Sequence, residues 1–279
     1  MKTQNLYSAD LRQQGFTLVE LMVSMAIGLV IVLFVTSMYI SSRGSQRLTD
    51  DNMRVQEESQ MAMNLLGRNL MQAGFSNLTA YKNVVLTGKG LTACDNGFSN
   101  PSDASDNPAC ATAGAPGFQV RYQVDKTYDA NTGAAADCNG KGSTGTSAAT
   151  ITNRFYIATK TGETTPSLYC SGSGDFTSPQ PLLGNVEDMR LTYGVDADSD
   201  SSADTFYTNA SNVAAFDSTW KSVVSVDVCL LISSDNNVTP GAQTYTDCNG
   251  ATQTSTDRKL RTTVHRLFTL RNNAASSNQ

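Results

Sequence analysis

The sequence predicts an α+β protein, with one long N-terminal helix packed on an antiparallel β-rich globular domain whose long loops are tethered by disulfides. Three observations carry that expectation. Residues 17–73 hold a helical apolar rhythm, and no proline interrupts the chain before Pro101. After Gly74 the chain turns into short alternating apolar runs separated by Gly-, Ser-, Asn- and Asp-rich stretches. Six cysteines lie scattered through those polar stretches, and none forms a CxxC pair.

The first element is FTLVELMVSMAIGLVIVLFVTSMYI, Phe16 to Ile40. A helix crosses a bilayer core with about 20 apolar residues, so this run can span one. A polar leader, residues 1–15, precedes it and contains Lys2 and Arg12. A secretory signal would end in a small-residue cleavage site after its apolar part, and none follows here. Lys2 and Arg12 on one side are balanced by Arg43 and Arg47 on the other, so charge counting leaves the orientation open. The cysteines decide it, because disulfides belong to an oxidising compartment and place the C-terminal bulk outside the cytoplasm. With a single histidine, His265, a zinc site is hard to assemble from them.

Glu20 does not suit a plain anchor. A carboxylate inside a membrane helix costs about 2.5–3.5 kcal/mol on insertion scales, and such residues are usually functional. If the chain is cut before Phe16, Glu20 becomes the fifth residue of a new N-terminus. It can then pair with the α-ammonium of a neighbouring subunit in an apolar core. Only one axial register satisfies both buried charges. The run Gln14-Gly15-Phe16-Thr17-Leu18-Val19-Glu20-Leu21-Met22-Val23 resembles the prepilin cleavage and methylation motif of type IV pilins and type II secretion pseudopilins. That resemblance implies cleavage between Gly15 and Phe16, methylation of the Phe16 nitrogen, and assembly through Glu20 and the apolar helix.

The helix continues beyond Ile40. Leu48, Val55, Ala62, Leu66, Leu70 and Ala73 fall on one face, and Gly74 is a C-cap candidate. A helix over residues 17–73 would be roughly 85 Å long. Gly28, Gly44 and Gly67 are its expected weak points, at about 1 kcal/mol each. Many major pilins break this helix with a proline; its absence here suits a minor subunit. The expected strands are Val84–Leu86, Phe118–Val124, Ile151–Ala158, Met189–Val195, Ser222–Ile232 and Leu260–Leu270, with loops at 95–117, 126–150 and 233–257. Six cysteines allow 15 connectivities. Sequential pairing (Cys94 with Cys110, Cys138 with Cys170, Cys229 with Cys248) would staple each loop.

The runs SSRGSQRL, LLGRNLMQAGF, LTYGVDADSDSSAD and RLFTLRNN resemble the PilW minor pilins. The resemblance implies a pilin-like fold and four segments. Residues 1–15 would be the leader, 16–40 the membrane or filament-core half-helix, and 41–74 the amphipathic half. Residues 75–279 would form a periplasmic and later extracellular domain. It also implies partners: other minor and major pilins, the prepilin peptidase, an inner-membrane assembly platform and a tip adhesin. The corresponding role is priming pilus assembly near the filament tip. A type II secretion pseudopilin, and an adhesive or DNA-capturing tip subunit, are the rival readings.

Two further clusters bear on chemistry. Asp196, Asp198, Asp200 and Asp204 alternate as carboxylates do around calcium. Ser201 replaces the turn glycine, and Tyr207 stands where an EF-hand has glutamate, so calcium and a solvated acidic turn both remain open. No cofactor is required by this reading. His265 lies among Arg258, Lys259, Arg261, Arg266 and Arg271 without a nucleophile motif, so no enzyme is expected. The formal charge of −5 gives no reason to expect nucleic acid as a partner.

Overall fold

A computed structural model describes residues 15–76, 86, 88–124, 136–142 and 149–274. The leader reading therefore falls outside the described residues except at Gly15. The chain divides into two compact units, Met1–Thr49 and Asp50–Gln279. One helix, α1 (Leu18–Gln72), contributes to both.

In the first unit α1 begins after Thr17, whose hydroxyl accepts the Glu20 backbone N–H at 3.3 Å. Thr17 followed three residues later by Glu20 is a helix-start signature, and a carboxylate in the first turn suits the helix dipole. The Glu20 carboxylate therefore sits in the first turn of α1, where the helix dipole favours it. Every residue from Phe16 to Ile40 is exposed. Among the described residues of its own unit, none covers this apolar stretch.

The second unit is built the opposite way. Its portion of α1 buries Val55, Ser59, Ala62, Met63, Leu66, Gly67 and Leu70, a single face at spacings of three and four. Against that face lie two antiparallel sheets. The first is a meander of β1 (Leu91–Cys94), β2 (Gly117–Val124), β3 (Ala149–Ala158), β4 (Ser167–Gly172) and β5 (Gln180–Gly184). The second has β6 (Val186–Val195), β7 (Thr205–Tyr207), β8 (Val223–Ser233) and β11 (Arg261–Thr269), in the order β11-β8-β6-β7. A short helix, α2 (Ala210–Phe216), precedes β8; a hairpin of β9 (Gln243–Thr246) and β10 (Thr252–Ser255) precedes β11; α3 (Arg271–Ala274) follows it. Leu66, Leu70, Phe118, Ile151, Phe155, Met189, Leu230 and Ile232 share one buried core, which includes Trp220.

Gly67, expected as a weak point, is a packing position. A Cβ there would sit 2.2 Å from the Phe268 ring of β11, so only glycine lets the strand approach. The end of α1 is closed by chain from far away. Gly74 adopts a left-handed backbone at φ 76°, its N–H bonds to the Arg121 carbonyl at 2.9 Å, and Asn272 donates to the Met71 and Ala73 carbonyls. Asn273 in turn donates to the carbonyls of Trp220 and Val223. The terminal RNNA turn therefore satisfies helix-end and loop carbonyls together.

Five expected strands lie within one to three residues of observed ones. The expected strand at 84–86 does not form at Leu86, its only described residue; the first strand runs instead from Leu91. The expected loop at 233–257 contains the β9–β10 hairpin, whose QTYT and TQTS strands offer only Tyr245 as an apolar signal.

Candidate functional site

The N-terminal group consists of Gly15, Phe16 and Glu20. Gly15 and Phe16 precede the helix in irregular backbone, and Phe16 is 82% exposed. The next carboxylates along the chain are Asp50 and Asp51, so Glu20 is the one acidic side chain of the apolar run. An exposed Gly15–Phe16 bond, an exposed apolar helix and one acid in the first turn are what processing and lateral packing would need.

The three disulfides join Cys94–Cys110, Cys138–Cys170 and Cys229–Cys248, the sequential pairs. The loop closed by the first is an ordered cover on the outer face of the five-stranded sheet. Its fastener is Arg154, which sequence reasoning missed because a strand arginine normally signals a solvent face. Arg154 is fully buried. Its guanidinium donates to the carbonyls of Pro101, at 3.1 Å, and of Asp103 and Ser105, and to Gln119 Oε1 at 2.7 Å. It also lies 4.5 Å from the Phe176 ring centre and 5.8 Å from that of Phe98. Burial pulls its pKa down, against the field of Asp103 and Asp106. Beside it Arg121 pairs with Asp106 at 2.7 Å. The alternation of Gln119, Arg121 and Gln123 with Phe118, Val120 and Tyr122 gave the strand but not the lid on its polar face.

The acidic loop follows β6. Asp196 is buried, and its two carboxylate oxygens accept the N–H groups of Ser199 (2.6 Å) and Ser201 (2.8 Å). Asp204 accepts from Ala197 at 2.8 Å. Oxygens of Asp196, Asp198 and Asp204 lie within 4.8 Å of one another, and Asp200 is not in that group. The structure thus brings three of the four expected carboxylates together. Tyr207 pairs with Tyr193 in the sheet. Ser201 holds φ 71° and Ser199 φ 68°, the left-handed conformation that glycine adopts without cost.

The basic C-terminal cluster is largely engaged within the domain. Arg261 pairs with Glu187 and Asp257, each at 2.7 Å, and lies over the Tyr245 ring. The hydrogen bonds that Arg261 donates to Asp257 raise the Arg261 pKa and lower that of Asp257. Arg258 donates to the Thr239 carbonyl, and Arg266 to Asn64 of α1 at 2.6 Å. His265 stands 3.6 Å from Asp227 and, in register, opposite Cys229, whose sulfur is held in the bridge to Cys248.

Comparison with known proteins draws these features into one class. The prokaryotic N-terminal methylation motif matches residues 10–36. The family described as type IV pilus-assembly protein W, PilW, matches residues 154–272. A type IV-like pilin from Thermus thermophilus shares 14% identity over 79% of this chain and 98% of its own, with a TM-score of 0.46. No curated protein matches the chain. The methylation motif, the apolar helix and the sheet domain define a type IV pilin-like protein. The PilW match runs from within β3 to Asn272 in α3 and includes the acidic loop and the disulfide cysteines Cys170, Cys229 and Cys248.

Proposed function

We propose that the chain is processed between Gly15 and Phe16 by a prepilin peptidase, methylated on Phe16, and inserted into a pilus whose assembly it helps to prime near the tip. The observation that carries this reading is an exposed apolar stretch, Phe16 to Ile40, charged only at Glu20, in one chain with a disulfide-stapled domain that carries the PilW match. Glu20 docks against the new α-ammonium of an adjacent subunit, and the apolar helix supplies lateral contact. Before assembly the chain is a single-pass inner-membrane protein with its second unit in the periplasm. Its partners are then major and other minor pilins, the assembly platform and a tip adhesin. Nucleic acid is not among them: the basic cluster's Arg261 is neutralised by Glu187 and Asp257.

Deleting the chain from its host and counting pili by electron microscopy tests the role. The expected outcome is a strong fall in pili, restored by the wild-type chain and not by Glu20→Ala. Normal piliation with a loss of exoprotein secretion would move the chain to the secretion pseudopilins. Calcium at Asp196, Asp198 and Asp204 would rigidify the loop between β6 and β7, with no catalytic part. Added calcium should then raise the Tm of the wild type and leave Asp196→Asn unmoved.

A further inference from the structure

Arg43 and Arg47 have no task in the chemistry described so far. They lie just beyond the apolar run, on the side that carries the disulfides. Cations on the extracytoplasmic side of a membrane helix run against the usual charge bias. Among the described residues neither forms an ion pair, and no acidic residue occurs between Glu20 and Asp50. What they have is each other and an aromatic ring. Tyr39, Arg43 and Arg47 recur at successive turns of α1, and with Ile40 and Gly44 they line one shallow groove. The Arg43 guanidinium lies 4.8 Å from the Tyr39 ring centre and donates to its hydroxyl, which holds the planar fork in place. Gly44 has no neighbouring atom within 4 Å where a Cβ would be, so the groove stays open beside Arg43.

Depth supplies the ligand. Arg43 is three residues past Ile40, about 4.5 Å along the helix axis, and Arg47 is about 10 Å past it. The headgroup layer occupies roughly the first 5–8 Å beyond the hydrocarbon, so two guanidinium groups flank it, with a tyrosine at its inner edge. Guanidinium forks bind phosphate oxygens bidentately. A parallel second copy at the same depth would bring like charges together, so it does not satisfy the pair.

We propose that Tyr39, Arg43 and Arg47 clamp the phosphate of an anionic phospholipid in the extracytoplasmic leaflet and set the depth at which the unassembled chain rests. This rests on the membrane-held reading above.

The test is native mass spectrometry of the full chain released from neutral detergent, titrated with phosphatidylglycerol or phosphatidylcholine. Wild type should retain phosphatidylglycerol in preference to phosphatidylcholine. Replacing both Arg43 and Arg47 with alanine should cut that retention about 30-fold, five- to sixfold for each cation. Millimolar glycerol phosphate should not compete, which separates a lipid headgroup from a free phosphate. Equal retention of the two lipids, unchanged retention in the double variant, or a lipid-free dimer that needs both arginines would each overturn the clamp. Flotation with phosphatidylcholine vesicles checks the underlying reading separately. A chain that fails to float overturns both ideas, whereas one that floats without headgroup preference overturns the clamp alone.

Discussion

The two units of this chain solve the same physical problem in opposite ways. The first presents a mostly apolar run, Phe16 to Ile40, and every residue of that run is exposed. The second buries its apolar face of α1 under two sheets, and even its guanidinium at Arg154 is enclosed and bonded. The contrast teaches what each unit leaves open: the second completes its apolar contacts within the chain, and the first leaves an apolar surface to be covered, as the proposed function requires. A helix that is exposed and apolar all round is stable in water only with a partner phase.

The largest effect should come from the second unit's buried cation. Arg154→Ala leaves the carbonyls of Pro101, Asp103 and Ser105 without their shared donor, and should cost about 3–5 kcal/mol in chemical denaturation of the detergent-solubilised chain. A loss under about 1 kcal/mol would show that the 95–110 cover is not fastened as described. Leu66→Ala in the core should cost about 2–5 kcal/mol, while the equally apolar Leu33→Ala should leave the unfolding of the second unit unchanged. Equal losses at the two positions would erase the contrast between the units.

Smaller effects sharpen the picture within the second unit. Burial, with the neighbouring Tyr169 adding to it, pushes the Tyr156 phenol up to about 12. Unfolded tyrosine loses its proton near pH 10, so the unfolded state binds fewer protons in the window between about pH 10 and 12. Stability from this group is therefore full below pH 10 and declines as pH rises through that window. Tyr156→Phe should flatten the alkaline limb, which a series of melts between pH 8 and 12 would read. The smallest change expected is a gain. Ser201→Gly relieves a left-handed backbone and should stabilise by about 1 kcal/mol, with no change if the loop already relaxes on its own.

How much of this was legible in the sequence differs between the same two regions. The apolar run, Gly15, Phe16 and Glu20 form a dense local pattern, and each residue's character follows from its neighbours in the chain. Strand alternation at Phe118–Val124 and Met189–Val195 was equally local, and both became strands. What stayed hidden was long-range. Arg154 looks like a surface strand residue until the loop 49 to 53 positions earlier folds over it. Gly67 reads as a helix defect until Phe268 arrives against it, and nothing in the RNNA segment announces that Asn272 will meet the end of α1. The acidic spacing suggested four ligands, but the turn at Ser199 and Ser201 gathers three. Periodicity reports which face is apolar; it carries no record of which distant backbone will need a donor.

The central claim is that the first unit exists to be processed and then completed by other subunits. The most direct test is the intact mass of the membrane-extracted protein, with and without a co-expressed prepilin peptidase, for wild type and Gly15→Ala. The account predicts that wild type with the peptidase loses residues 1–15 and gains one methyl group, and that Gly15→Ala keeps its full-length mass. A full-length wild-type mass in the presence of active peptidase would contradict it, leaving a membrane-anchored domain whose Glu20 serves only to start its helix.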